Sequence, residues 1–64
     1  MEFKVGDVVK VIDNTGSLEG CGIEIGAVGE VAKCSNQLHI FVRIDGRMLI
    51  VCKDEVELVV RGLN

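Results

Sequence analysis

The sequence predicts an all-β domain, a small closed barrel of five strands. Three observations predict it. Hydrophobic residues make up 48% of the chain but aromatics only 3%, so the apolar content is Val, Ile and Leu, which suits strands. Eight glycines and no proline break the chain into short apolar runs. Asp45-Gly46 stands between two such runs, the strongest short-range signal for a tight hairpin. Sixty-four residues hold one core, so the whole of 1–64 is read as a single domain. A domain this small buries only about 60% of the surface its unfolded chain exposes, and oligomerisation is a common support.

The elements follow in order. Gly6-Asp7 reads as a turn and Val8 to Ile12 as the first strand. Asn14 to Gly26 contains four glycines and no helical period, which predicts a long first loop. "AVGEVAK" is the second strand, with Gly29 marking a bulge or a close approach. "CSNQ" is a turn. "LHIFVRI" alternates, placing Leu38, Ile40, Val42 and Ile44 on one face, and "RMLIVC" returns antiparallel after Asp45-Gly46. "KDEV" is expected to form one helical turn capped by Asp54, and "ELVV" the closing strand. Closure of such a barrel would remove exposed strand edges.

"FKVGDVVKVID", "GAVGEV", "VRIDG" and the terminal "DEVELV" together resemble the SH3-like barrels of bacteria and their mobile elements. The opening resembles the KOW-type barrels of transcription and ribosomal proteins. The ending is similar to the small barrel subunit of photosystem I. The resemblance spans nearly the whole chain and implies the barrel. It implies no single function, because such barrels host many unrelated tasks.

The run Met48 to Cys52 holds five apolar residues without alternation, although a half-buried strand should alternate. A two-residue turn pairs Ile44 with Arg47, Val42 with Leu49 and Ile40 with Val51, giving one apolar face. The opposite face then carries Phe41 with Ile50, Arg43 with Met48 and His39 with Cys52. A barrel has one interior, so Phe41, Met48 and Ile50 are expected outside as an apolar patch. Val8 and Ile12 are expected outside on the first strand. Either the N-terminal segment or the long loop folds over such a patch, or the patch is an interface, and the interface is the reading taken here. The expected function is therefore a non-enzymatic protein-interaction module. It associates with itself as a homo-oligomer or docks on a larger assembly, with the Asn14–Gly26 loop as a second surface.

Other chemistries find less support. A KOW-like nucleic-acid accessory role is the alternative, and it would use Arg43 and Arg47. Against it, seven basic residues face ten acidic ones, for a net charge of −3, and only Phe3 and Phe41 could stack on bases. The absence of Tyr and Trp argues against a proline-rich peptide groove. Cys21, Cys34, His39 and Cys52 lack the close spacing of a structural metal site, so no metal or cofactor is expected. Cys21 lies between the carboxylates Glu19 and Glu24, a setting that disfavours a nucleophilic thiol. His39 is the single histidine, and no triad order surrounds it, so no catalytic residue is assigned. The type II dihydrofolate reductases are also SH3-like barrels, but their Val-Gln-Ile-Tyr strand has no counterpart in "LIVC". The glycines of the loop match no phosphate-binding pattern. There is no 18-residue apolar run and no apolar leader at the start, and three cysteines is an odd number. These features predict a cytoplasmic protein with reduced thiols and no membrane contact.

Overall fold

The computed structural model describes residues 2–62. Five strands and one short 3₁₀ turn make up its regular structure: β1 (Val8–Val11), β2 (Val28–Cys34), β3 (His39–Ile44), β4 (Arg47–Cys52), the turn Lys53–Glu55, and β5 (Val56–Val60). The fold is all-β. The strands form one antiparallel sheet in the order β4-β3-β2-β1-β5. Its ladder does not close: β4 and β5 stand at its two ends and are joined through the 3₁₀ turn rather than by hydrogen bonds to each other.

Local sequence explains each joint. Asp45 and Gly46 both adopt positive φ, 51° and 76°, so the hairpin between β3 and β4 turns in the primed sense that matches strand twist. Its register is Ile44 with Arg47, continuing outward to His39 with Cys52. Gly29 is a close-approach site: a Cβ there would lie 2.5 Å from the Ile44 side chain and 2.6 Å from the Arg43 carbonyl oxygen. Only a bare backbone lets β2 lie that near β3. The bulge in β2 comes further along, between Val31 and Lys33.

The core lines the concave side of the sheet. Val9, Val11, Val31, Ile40, Val42, Ile44, Val51 and Val56 supply it from the strands. Phe3 joins from the N-terminal segment, and Leu18 and Ile23 join from the long loop. That loop is therefore a lid on the core as well as a connection. A strand sheet with one apolar face needs a second layer, and here two apolar loop residues provide it.

Three expectations need correcting. Leu38 was expected beside Ile40 on the inner face, but it is 70% exposed, because β3 begins only at His39 and Leu38 stays in the preceding turn. Ile12 lies beyond the end of β1, which stops at Val11. Asp54 does not cap the 3₁₀ turn. Glu55 reaches back instead, its Oε1 accepting the Cys52 N–H at 2.9 Å.

Candidate functional site

The convex face of the β3–β4 hairpin is built by register. A two-residue turn makes Ile44–Arg47 the hydrogen-bonded closing pair, so Arg43–Met48, Phe41–Ile50 and His39–Cys52 are the closer, non-hydrogen-bonded pairs. All six side chains project from the convex side. Met48 is 49% and Ile50 51% exposed, while Phe41 is half-buried. Lys33, opposite Phe41 on β2, holds its ammonium 5.9 Å from the centre of the Phe41 ring. That distance is within reach of a cation–π contact.

Beyond Cys52 and His39 the apolar strip runs into a cleft of about 410 Å³, lined by Gln37, Leu38, His39, Cys52, Lys53 and Asp54. A second cleft of about 350 Å³ shares Gln37, Lys53 and Asp54 and is otherwise lined by Phe3, Val56 and Glu57. Among the described residues, no group of three or more His, Cys, Asp or Glu is placed to hold a metal ion. Cys21, Cys34 and Cys52 are free thiols.

Register also separates the expected interface residues. Met48 pairs with Arg43, Arg43 with Glu30, Glu30 with Val8, and Val8 with Val60. Val8 is thus divided from the Phe41–Met48–Ile50 face by the Arg43–Glu30 pair. Ile12, 46% exposed, lies past the other end of β1. The two arginines part as well. Arg43 points to the convex side, whereas Arg47 pairs with the inward Ile44 and donates from Nη1 to the Cys21 carbonyl at 2.8 Å. They do not form one basic patch.

Two buried carboxylates brace the fold, one of them beside this surface. Glu55 is 2% exposed. Its Oε2 accepts the N–H groups of Gly16 and Leu18, and its Oε1 accepts the Ser17 hydroxyl and the Cys52 N–H. Ser17 Oγ also accepts the Cys52 N–H at 3.1 Å and lies 3.0 Å from the Ile50 carbonyl oxygen, so the loop is tied to the open edge of β4. Burial pushes the Glu55 carboxyl up, but the hydroxyl of Ser17 and the amides of Cys52, Leu18 and Gly16 outweigh it, and the net direction is down. A Cβ at Gly16 would lie 3.0 Å from Glu55 Oε2, so a larger residue there would make the carboxylate shift. At the far end of the molecule Asp7 is fully buried. It accepts N–H groups of Gly62 at 2.6 Å and Lys4 at 2.8 Å, with the Arg61 guanidinium at 3.3 Å. The Gly62 and Lys4 amides lower its carboxyl against the cost of burial, with help from Arg61. Neither residue stands in a sequence motif that would betray it. Cys52, unlike Ser or Thr, does not announce a capping box with Glu55.

No helix among the described residues is long and apolar enough to cross a membrane. Comparison with protein-family models, curated proteins and solved structures finds no match for this chain.

Proposed function

We propose that this chain is a non-enzymatic protein-interaction module built on an SH3-like barrel, and that it associates with further copies of itself through the convex face of β3–β4. The antiparallel strand order, the tight Asp45-Gly46 hairpin and the one-turn helix ahead of β5 support the barrel. The observation that carries the function is the side-by-side placement of Phe41, Met48 and Ile50, two of them about half exposed, on a hairpin whose other face carries the buried Ile40, Val42, Ile44 and Val51. Contiguous exposed apolar surface beside a filled core is the signature of a contact site. A standard interface takes about 800 Å² from each partner. That is about a fifth of the 4074 Å² this chain exposes, and covering it would add burial that a domain of this size lacks.

Light scattering behind size exclusion, from low to high micromolar, tests this directly. The expected mass lies well above 6.9 kDa, survives reductant, and falls to the monomer in Met48→Lys or Ile50→Lys with the circular dichroism unchanged. A wild-type monomer at every concentration would remove the proposal.

A further inference from the structure

Charge is segregated along this chain. Between Lys33 and Lys53 four basic residues, Lys33, Arg43, Arg47 and Lys53, stand against one acidic residue, Asp45. The rest of the chain carries three basic and nine acidic residues. The convex hairpin face takes its rim from the basic segment: Lys33 over Phe41, and Arg43 beside Met48, with Glu30 facing Arg43 and Asp54 at the His39–Cys52 end.

A second exposed apolar patch lies on the other half of the molecule. Ile12 is 46%, Ile25 57% and Val28 54% exposed. They are neighbours through the backbone. Gly26 N–H donates to the Val11 carbonyl and Val11 N–H to the Ala27 carbonyl, which sets the Ile25 turn beside Ile12. Val28 pairs with Lys10, two residues before Ile12. The rim here is acidic. Asp13 and Glu24 adjoin Ile12 and Ile25 in the chain, and Glu57 crosses from β5 to Lys10, the single base, at 3.2 Å.

We infer that copies of this chain associate head to tail: the Phe41–Met48–Ile50 face of one copy, rimmed by Lys33 and Arg43, seats on the Ile12–Ile25–Val28 patch of the next, rimmed by Asp13, Glu24 and Glu57. The inference rests on the self-association proposed above and names the surface that receives the hairpin. Charge decides between this arrangement and a symmetric one. Placing the hairpin face against itself brings Lys33 and Arg43 toward their own copies, and like charges across an interface are unfavourable. Placing it on the acidic patch brings opposite rims together and buries both apolar surfaces. A heterologous contact of this kind leaves each pair with one open end of either sort. It therefore grows with concentration, or closes as a ring, instead of stopping at a two-fold dimer.

Two single-site variants separate the cases. Ile50→Glu places in the hairpin face a charge of the same sign as the opposing rim, and Ile25→Lys does the same in the acidic patch. Both positions are about half exposed, so both variants keep the fold, and Met48→Glu with Val28→Lys serves as the second pair. Each variant alone is expected to run as a monomer in light scattering, whereas wild-type mass rises beyond a dimer with concentration. An equimolar mixture is expected to form a one-to-one complex of twice the monomer mass, because the intact acidic patch of Ile50→Glu meets the intact hairpin face of Ile25→Lys. If Ile25→Lys and Val28→Lys assemble as wild type does while Ile50→Glu is monomeric, the contact is symmetric. The head-to-tail inference then falls and the proposed function stands. A wild-type chain that is monomeric throughout overturns both.

Discussion

The two faces of the β3–β4 hairpin are made of the same kind of residue and meet different fates. Ile40, Val42, Ile44 and Val51 face inward and are at most 1% exposed, while Met48 and Ile50, their neighbours along the same strands, are about half exposed. Hydrophobicity does not distinguish the two sets. What differs is the second layer. The inner face receives Phe3, Leu18 and Ile23 from the N-terminal segment and the long loop, and these complete one core cluster. On the outer face the Lys33 ammonium lies 5.9 Å from the centre of the Phe41 ring. A sheet face becomes core only when another element covers it. In so short a chain the apolar surplus on the outer face stays about half exposed at Met48 and Ile50.

The sharpest way to break this comparison is to truncate one residue on each face. Ile40→Ala removes a fully buried side chain and is expected to cost about 2–5 kcal/mol. Set against a total stability of about 0.05–0.15 kcal/mol per residue, that is enough to bring the chain near its unfolding midpoint at room temperature. Ile50→Ala on the other face is expected to change monomer stability by no more than about 0.5 kcal/mol. Urea unfolding of the two variants at a concentration below assembly reads the difference. Equal losses would mean that both faces are core.

A smaller effect is expected at the clasp that keeps the loop over the inner face. Glu55→Gln substitutes an NH₂ for one oxygen of a carboxylate that now accepts four hydrogen bonds, so donors are left facing a donor. The expected cost is about 2–4 kcal/mol, visible as a lower melting temperature. Acid acts on the same group. Glu55 and Asp7 titrate below their ordinary values of 4.5 and 3.8 in the folded chain. In that window the unfolded chain binds more protons, and stability rises with pH. Stability is therefore level from neutrality to about pH 5 and declines as pH falls through the lowered folded values. Glu55→Gln is expected to flatten that acid limb in part, with Asp7 and Asp13, the latter lowered by its hydrogen bonds from Thr15, contributing to the rest. An unchanged acid limb in Glu55→Gln would show that the clasp does not titrate as its geometry requires.

How much of this was legible in the sequence follows from the range of the interactions. The hairpin could be read because Asp45-Gly46 fixes a turn type, the turn fixes the register, and the register fixes both faces of β3 and β4. Gly29 could be read as a close approach because a glycine within a strand implies it. Leu38 was misplaced because alternation carries no mark of where a strand begins. The clasps were illegible for a different reason. Glu55 bonds to residues 37 to 39 positions away, and Asp7 to residues 54 and 55 positions away. No local pattern announces a carboxylate that will be satisfied from across the fold. The loop's part in the core was missed likewise, since Leu18 and Ile23 lie among glycines and charges with no period. The concentration of basic residues between Lys33 and Lys53 was plain in the sequence. Of that group Lys33 and Arg43 reach the convex face, while Arg47 turns to the loop, and register rather than composition decides which.

The smallest expected effect is the most selective, because it uses one residue type at two positions four apart. Arg43 lies on the outer face beside Met48, and Arg47 lies on the inner side of the hairpin end, bonded to the Cys21 carbonyl of the loop. Arg47→Ala removes one exposed hydrogen bond between hairpin and loop, expected to cost less than about 1 kcal/mol. It should leave assembly untouched. Arg43→Ala removes no bond from loop to sheet and should leave the melting temperature unchanged, but it takes charge from the rim of the apolar face and weakens assembly. A melting curve and a light-scattering titration of each variant give four readings. The two faces have separate roles if stability moves with Arg47 alone and association with Arg43 alone. The reverse pattern would place the loop contact, rather than the convex face, at the centre of association.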